Sequence, residues 1–292
     1  MYDAKDIIKK VKKIEIKTRK LVEGLLQGAY HSVFKGRGIE FSEIREYQIG
    51  DDIRTIDWNV TAKMGALYVK QFVEERDLTV YIVFDVSASN EFGFKKEKKE
   101  TAIELAASLI FAAMRNNDRV GLILFTNKVE RFIPPRKGKR HAFKLIRELV
   151  YYQPEERGTD LGVALEYLSK IVRKRSVIFI ISDFFTRDFS RPIKIMKGKH
   201  DIVAFNIFDI REREIPDVGY IFLEDQETGE QILVNTSDEN FRKEYSRLAK
   251  EYENSLEKKF KNLGIDFIRL GDELIEVTLR KFFKMRIKRL VR

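Results

Sequence analysis

Thr79-Val80-Tyr81-Ile82-Val83-Phe84-Asp85-Val86-Ser87-Ala88-Ser89 is the stretch that decides the fold of this chain. A run of β-favouring residues leads straight into a carboxylate, and two hydroxyls follow at alternate positions. A continuous apolar run of this length fits a strand buried on both faces, as in a parallel sheet. Asp85 adds nothing apolar, so its place at the strand end implies another task. In open α/β sheets, ligands bind beyond the carboxyl ends of the strands, where the winding reverses. Asp85, Ser87 and Ser89 would present hard oxygen atoms there from one short loop. Oxygen ligation with few charges suits Mg²⁺, which prefers octahedral geometry and keeps several waters.

Two later stretches supply further oxygens. Arg157-Gly158-Thr159-Asp160-Leu161-Gly162 opens a helical segment and offers the Thr159 hydroxyl, which is also the expected helix cap. Ser176-Val177-Ile178-Phe179-Ile180-Ile181-Ser182-Asp183 is a second buried-strand pattern that ends on a carboxylate. Asp-x-Ser-x-Ser, then a Thr after a Gly, then a strand-terminal Asp resembles the metal-ion-dependent adhesion site of von Willebrand factor A-like domains. The resemblance implies that the strands ending at Asp85 and Asp183 are neighbours. It also implies that Asp85, Ser87, Ser89, Thr159 and Asp183 converge on one cation, Mg²⁺ or in its place Mn²⁺.

Upstream of this core the chain is polar for something so aromatic. Phe41 to Trp58 alternates charged with apolar residues, Gly50-Asp51 is a turn signal, and Leu67 to Val73 is a strand candidate. Arg45 and Arg54 lie near Asp51, Asp52 and Asp57 in sequence, and we expect an Arg–carboxylate network that locks a small β subdomain. The segment Gly36 to Phe41, then Arg-Glu-Tyr, Gly-Asp-Asp-x-Arg, Ile-Asp-Trp and Thr-Ala, resembles a bacterial and archaeal family, the domain of unknown function fifty-eight. That resemblance runs from about Ser32 to Asp183. It implies partnership with a MoxR-type AAA ATPase, beside which such proteins are commonly encoded.

The remainder alternates helices and strands. Helices are expected over residues 3 to 25, Lys95 to Asn116, His141 to Tyr152, Thr159 to Lys174, Arg191 to Met196, Asn240 to Leu263 and Leu279 to Arg292. Strands are expected over Arg119 to Thr126, Val129 to Ile133 (a short edge strand stopped by Pro134-Pro135), Ile202 to Phe208 and Ile265 to Leu270. Arg136 to Arg140 reads as a basic loop. Gly219 to Leu223 and Gln231 to Asn235 flank a β-hairpin turn. The fold class that follows is α/β: a doubly wound, mostly parallel sheet with an N-terminal helix and a small β-rich segment. We divide it into residues 1–76, the helix and signature segment, and 77–292, the von Willebrand A-like domain with its hairpin near 219–235.

Composition narrows the function. No run of about 20 apolar residues exists, and the N-terminus lacks a secretory pattern, so the expectation is a soluble, cytoplasmic protein. The chain has no cysteine, which removes disulfides and thiolate chemistry. Its net charge of +10 is concentrated at the two ends, where solvated helix faces explain it more simply than an anionic partner. The C-terminal helix is basic and amphipathic; packing on the domain is the preferred reading, and peripheral contact with anionic lipid the lesser one.

His31, His141 and His200 form no catalytic pairing, and no P-loop, dinucleotide fingerprint or nucleophile elbow is present. The reading is therefore non-catalytic: a Mg²⁺-dependent protein-binding module whose cation is completed by a partner's Glu or Asp. The binding rim would comprise Asn90, Phe92, Asp160, Phe184 and Phe185, with at least one of the two phenylalanines exposed. The rivals are a nucleic-acid-binding protein using its basic ends, and behind it a metal-dependent phosphohydrolase, for which these loops carry too few carboxylates.

Overall fold

A computed structural model describes residues 12–16, 18, 33–34, 39–74, 78–87, 96–209, 212–224, 229–271 and 274–290. Its compact units are two: Phe34–Leu78, and Met1–Val33 with Thr79–Arg292. Of the expected first helix, residues 12–16 and 18 are helical and the rest lies outside the described residues.

The smaller unit pairs β1 (Ile39–Glu46) antiparallel with β2 (Tyr68–Glu74), with a bulge at Phe41/Glu43. Between them lie a 3₁₀ turn (Ile53–Thr55) and helix α1 (Trp58–Met64). Asp57 caps α1 by accepting from Asn59 and Val60 N–H, and Gly65, at φ 75°, closes it in the left-handed conformation. The expected charge network exists in altered form. Arg45 holds Asp51 through both guanidinium nitrogens at 2.7 and 2.8 Å, while Asp57 pairs with Lys70 at 3.3 Å. The Arg54 guanidinium pairs with no carboxylate among the described residues, because its side chain points to solvent and only its backbone N–H meets Asp52.

The larger unit runs in chain order through β3 (Thr79–Asp85), α2 (Lys96–Arg115), β4 (Arg119–Phe125), β5 (Val129–Arg136), α3 (Lys139–Tyr151) and α4 (Leu161–Ile171). It continues with β6 (Val177–Ser182), α5 (Ser190–Lys197), β7 (Asp201–Ile207), the hairpin β8 (Tyr220–Glu224) and β9 (Gln231–Asn235), α6 (Glu239–Leu263), β10 (Asp266–Leu270) and α7 (Ile275–Leu290). The six-stranded sheet has the order β10-β7-β6-β3-β4-β5, parallel except for β5 at one edge. The chain winds outward from β3 in one direction through β4 and β5, then returns to β6 on the other side. The winding therefore reverses between β3 and β6, at the carboxyl ends that carry Asp85 and Asp183. This is the doubly wound, mostly parallel α/β architecture expected from the sequence.

The continuous apolar run of β3 is explained by burial on both faces. Tyr81 and Val83 pack with Leu165 and Leu168 of α4, Ile193 of α5 and Phe260 of α6. Right-handed crossovers on either side of a reversal put α2 on the opposite face from α5. There α3 meets α2 through the Phe111–Phe143 edge contact, and α7 meets β7 through Phe205–Phe282. Val80, Ile82, Val83 and Phe84 are buried to 3% exposure or less, each stabilising the fold by about 1.5–3 kcal/mol. Gly121 in β4 makes room for Tyr81: a Cβ there would stand 3.0 Å from its ring.

Two expectations need correction. The edge strand β5 is not stopped by Pro134-Pro135 but continues to Arg136, with a register shift between Val120 and Leu122 of its partner. An edge strand has one side without ladder bonds, so the missing proline N–H groups cost little there. The expected basic loop Arg136 to Arg140 is accordingly divided, with Arg136 in β5 and Lys139 and Arg140 opening α3. The C-terminal helix docks as preferred: Leu279, Phe282 and Phe283 are buried, and Arg286 bridges Asp201 at 2.7 Å and Asp266 at 2.5 Å.

Candidate metal centre

Asp85 is the last ladder residue of β3, opposite Phe125 of β4, and the Val86 N–H still reaches the Phe125 carbonyl at 3.0 Å. The chain then turns, and the turn is built by the carboxylate itself. Oδ1 of Asp85 accepts from the Ser87 N–H at 2.9 Å and the Ser87 hydroxyl at 2.6 Å, an Asx-type turn. Oδ2 accepts from the Ser182 hydroxyl at 2.6 Å, across from the neighbouring strand β6. Both oxygens are thus oriented in a fully buried setting, where an unpaired carboxylate would be costly. Burial, and then the Asp183 charge, push the Asp85 carboxyl well above the usual carboxylate range, against the opposing pull of the Ser182 and Ser87 hydrogen bonds.

Asp183 follows Ser182 directly and is equally buried, at 1% exposure. Its Oδ1 accepts from the Phe185 N–H at 3.1 Å, and Asn206 of β7 holds its main-chain carbonyl at 2.9 Å. The intervening Phe184 has φ 63°, a conformation rare for a bulky residue. It is held there by its N–H on Ser182 Oγ at 2.9 Å and by the Tyr252 hydroxyl donating to its carbonyl at 2.7 Å. This strained turn is what brings the Phe185 amide back onto the carboxylate.

Thr159 is buried in the third loop. Its carbonyl accepts from the Thr186 hydroxyl at 3.2 Å, and the next residue's N–H reaches the Thr126 carbonyl at 2.9 Å. The Thr159 turn is therefore stitched between the end of β4 and the loop after β6, on either side of Asp85. The helix cap is Asp160 and not Thr159, since the Asp160 carboxylate accepts from Val163 N–H at 3.3 Å. Asp160 is thereby occupied in a structural bond. Ser89, Asn90 and Phe92 lie outside the described residues.

The expected rim changes as well. Phe184 is not at the rim: it is 1% exposed, packed against Phe189, Phe260 and Phe267. Phe185 is 47% exposed and stacks on Tyr252, ring centres 4.7 Å apart. It borders a cleft of about 330 Å³ that also takes in Asp183, Asn206, Glu212, Tyr245 and Tyr252.

One residue that sequence reasoning missed dominates the electrostatics. Lys98 of α2 has its side chain 1% exposed, with Nζ 3.1 Å from Asp183 Oδ2 and 2.6 Å from Glu212 Oε1. Burial alone would lower the Lys98 pKa, but Asp183 and Glu212 outweigh it and raise it. Glu212 is itself raised by burial, a shift that Lys98 opposes. A signal for Lys98 was present: Lys98, Ala102, Leu105 and Leu109 fall on one helical stripe, the stripe that α2 buries. Glu212 lies in an Arg/Glu run with no such pattern. Ser182 stood in plain view before Asp183.

The donor set fits a hard divalent cation. It consists of carboxylate and hydroxyl oxygens only, and the buried Asp85 and Asp183 with the half-buried Glu212, set against one ammonium, carry two formal negative charges in excess, which one such ion would neutralise. Among the described residues there is no group of three or more His, Cys, Asp or Glu arranged to hold a metal by themselves, so hydroxyls and water would complete the shell.

Residues 43–255 match the family described as protein of unknown function DUF58. The Mycobacterium tuberculosis protein Rv1480, itself described as uncharacterized, is 30% identical over 261 residues, spanning 88% of this chain and 82% of that protein. YeaD of Bacillus subtilis is 22% identical over 162 residues, 56% of this chain and 39% of its own. Among solved structures, an aerotolerance-related membrane protein from Bacteroides fragilis aligns over 73% of this chain and 99% of its own, at 17% identity and a TM-score of 0.47. BatB from Bacteroides thetaiotaomicron aligns over 73% and 98%, at 18% and 0.47. At this level of similarity no property of those two proteins transfers. The family match covers most of the chain and includes Asp85, Thr159 and Asp183, and the chain belongs to the DUF58 family.

Proposed function

We propose that the carboxyl ends of β3 and β6 form a Mg²⁺-dependent protein-binding site, and that the protein acts as a non-catalytic partner of a MoxR-type AAA ATPase. The observation that supports the site is the meeting of Asp85, Ser87 and Asp183 at the winding reversal, with the Thr159 turn stitched beside them. Asp85, Ser87, Thr159 and Asp183 would hold the cation, with Ser89 added by the resemblance to adhesion-type sites. When bound, Mg²⁺ would supply an electrophilic centre able to accept a carboxylate from the partner. The protein's own residues fix the rest. Ser182 and Ser87 orient Asp85, Phe185 N–H and Lys98 orient Asp183, and the exposed Phe185 ring offers an apolar anchor beside them. The ATPase as partner rests on the family resemblance carried by Gly36 to Trp58.

The test is capture of a MoxR-type AAA ATPase from the same organism. Binding should be lost with EDTA, in Ser87→Ala and in Phe185→Ala; Phe184 is left intact because its removal would open the core. Capture that survives all three treatments refutes the site as the binding surface. Among the described residues no helix is long and apolar enough to cross a membrane.

A further inference from the structure

Lys98 stands out among the buried charges because it lies on the very carboxylate that the family pattern assigns to a cation. Its side chain is 1% exposed, on the first turns of α2, and its ammonium is shared between Asp183 Oδ2 at 3.1 Å and Glu212 Oε1 at 2.6 Å. Asp183 Oδ1 is already committed to the Phe185 N–H. Among the described residues, the hydrogen bonds that orient the Asp183 side chain come from that amide and from Lys98. Glu212 has a second support, since its other oxygen accepts from the Asp209 N–H at 3.3 Å. The ammonium thus sits between two carboxylates, only one of which belongs to the strand end.

We propose that Lys98 is an internal counter-cation that competes with a divalent ion for Asp183, and that Glu212 is the residue to which the ammonium retreats when the ion binds. This rests on the cation-site reading above and adds how that site is tuned. Lys98 is a positioning residue, acting through Asp183. Two like charges drawn to one carboxylate in a buried setting repel more strongly than they would in water. An ion entering beside Asp85 must therefore displace the ammonium from Asp183 or share the carboxylate with it, and either lowers its affinity. The Glu212 carboxylate keeps that displacement feasible by giving the ammonium a place to stay without returning to solvent. The arrangement makes a moderate, reversible site from ligands that would otherwise bind more tightly.

The test is Mn²⁺ and Mg²⁺ binding by calorimetry in the full-length protein and in a charge-balanced variant. Lys98→Met alone strands two buried carboxylates, so the informative protein is Lys98→Met combined with Glu212→Gln, which leaves the formal charge of the cluster unchanged. The proposal expects the double variant to bind the ion more tightly by about tenfold or more, within the range of ordinary site-to-site coupling. Equal or weaker binding by a folded double variant overturns it. A second measurement needs no variant. In the wild-type protein, the NMR signal of the Lys98 Nζ should shift on addition of diamagnetic Mg²⁺, and an unmoved signal at saturating ion overturns the proposal. No ion binding by either protein would defeat the cation site itself. Binding by the wild type that the double variant merely equals would defeat only the role of Lys98.

Discussion

Two of this protein's charged networks each set a basic side chain against carboxylates and differ in their solvent. In the smaller unit, Arg45 grips Asp51 in a two-pronged pair whose side chains are 36% and 21% exposed. At the end of β3 and β6, Lys98 and Asp183 are each 1% exposed. Removing an ion from water costs several kcal/mol even after relaxation, so the second network exists only because each charge in it is matched by partners. The first costs little to form and contributes correspondingly little. A hydrogen-bond diagram alone would rank the Arg45 pair higher, since it has the better geometry. Solvent, more than geometry, separates a surface clasp from a site whose charges are held at a functional position.

The largest effect expected from this contrast is at Lys98. Lys98→Ala leaves Asp183 and Glu212 facing each other without a cation, and should lower the unfolding free energy by about 3–5 kcal/mol, read as a reduced urea midpoint by circular dichroism. A midpoint shift as small as that of a surface lysine would show that the network is hydrated after all.

His200 sharpens the contrast from the other side, because it is buried with no compensating partner. Its Nδ1 has no hydrogen-bond partner among the described residues, and burial, then Lys199, hold its pKa below the ordinary 6.5. The unfolded chain therefore takes up a proton more readily than the folded one. Stability should be level above pH about 6.5 and fall as pH drops below it, and His200→Gln should remove that part of the slope. Identical pH profiles for the two proteins would contradict this.

The smallest effects belong to the exposed network. Arg45→Ala should lower the melting transition reported by Trp58 fluorescence by no more than about 2 °C. Arg54→Ala, whose guanidinium has no carboxylate among the described residues, should leave it unchanged. A large loss in either variant would break the comparison, since it would mean that an exposed pair does the work of a buried one.

Much of this was legible in the sequence where the signal was local. The unbroken apolar runs of β3 and β6 announced strands buried on both faces, and the carboxylate at each end marked the site. What misled was context that only the tertiary structure supplies. Pro134-Pro135 looks like a stop even for an edge strand, until the register shift between Val120 and Leu122 is seen to carry β5 past both prolines to Arg136. Thr159 and Asp160 are both good helix caps, and the choice fell to Asp160 because the Thr159 side chain is turned into the interior. Phe184 and Phe185 were indistinguishable as neighbours in a loop, and the left-handed turn at Phe184 sends one ring inward and the other out. The segment at 45–57, with Arg45 and Arg54 among four carboxylates, looked like the costly network because its charges are dense. Lys98 was hidden in a run of lysines although its phase on α2 was that of the buried stripe.

The claim at the centre of this account is that Asp85 anchors a divalent cation, and the most direct measurement is Mg²⁺ or Mn²⁺ titration of the wild-type protein beside Asp85→Asn. Asparagine keeps the shape: its Oδ1 can still accept from Ser87, and its Nδ2 takes the place of Oδ2 and donates to Ser182 Oγ, so the fold should persist with an unchanged circular dichroism spectrum. The account predicts one binding event per wild-type chain and none in the folded variant. Equal binding by both proteins, or none by the wild type, would contradict it.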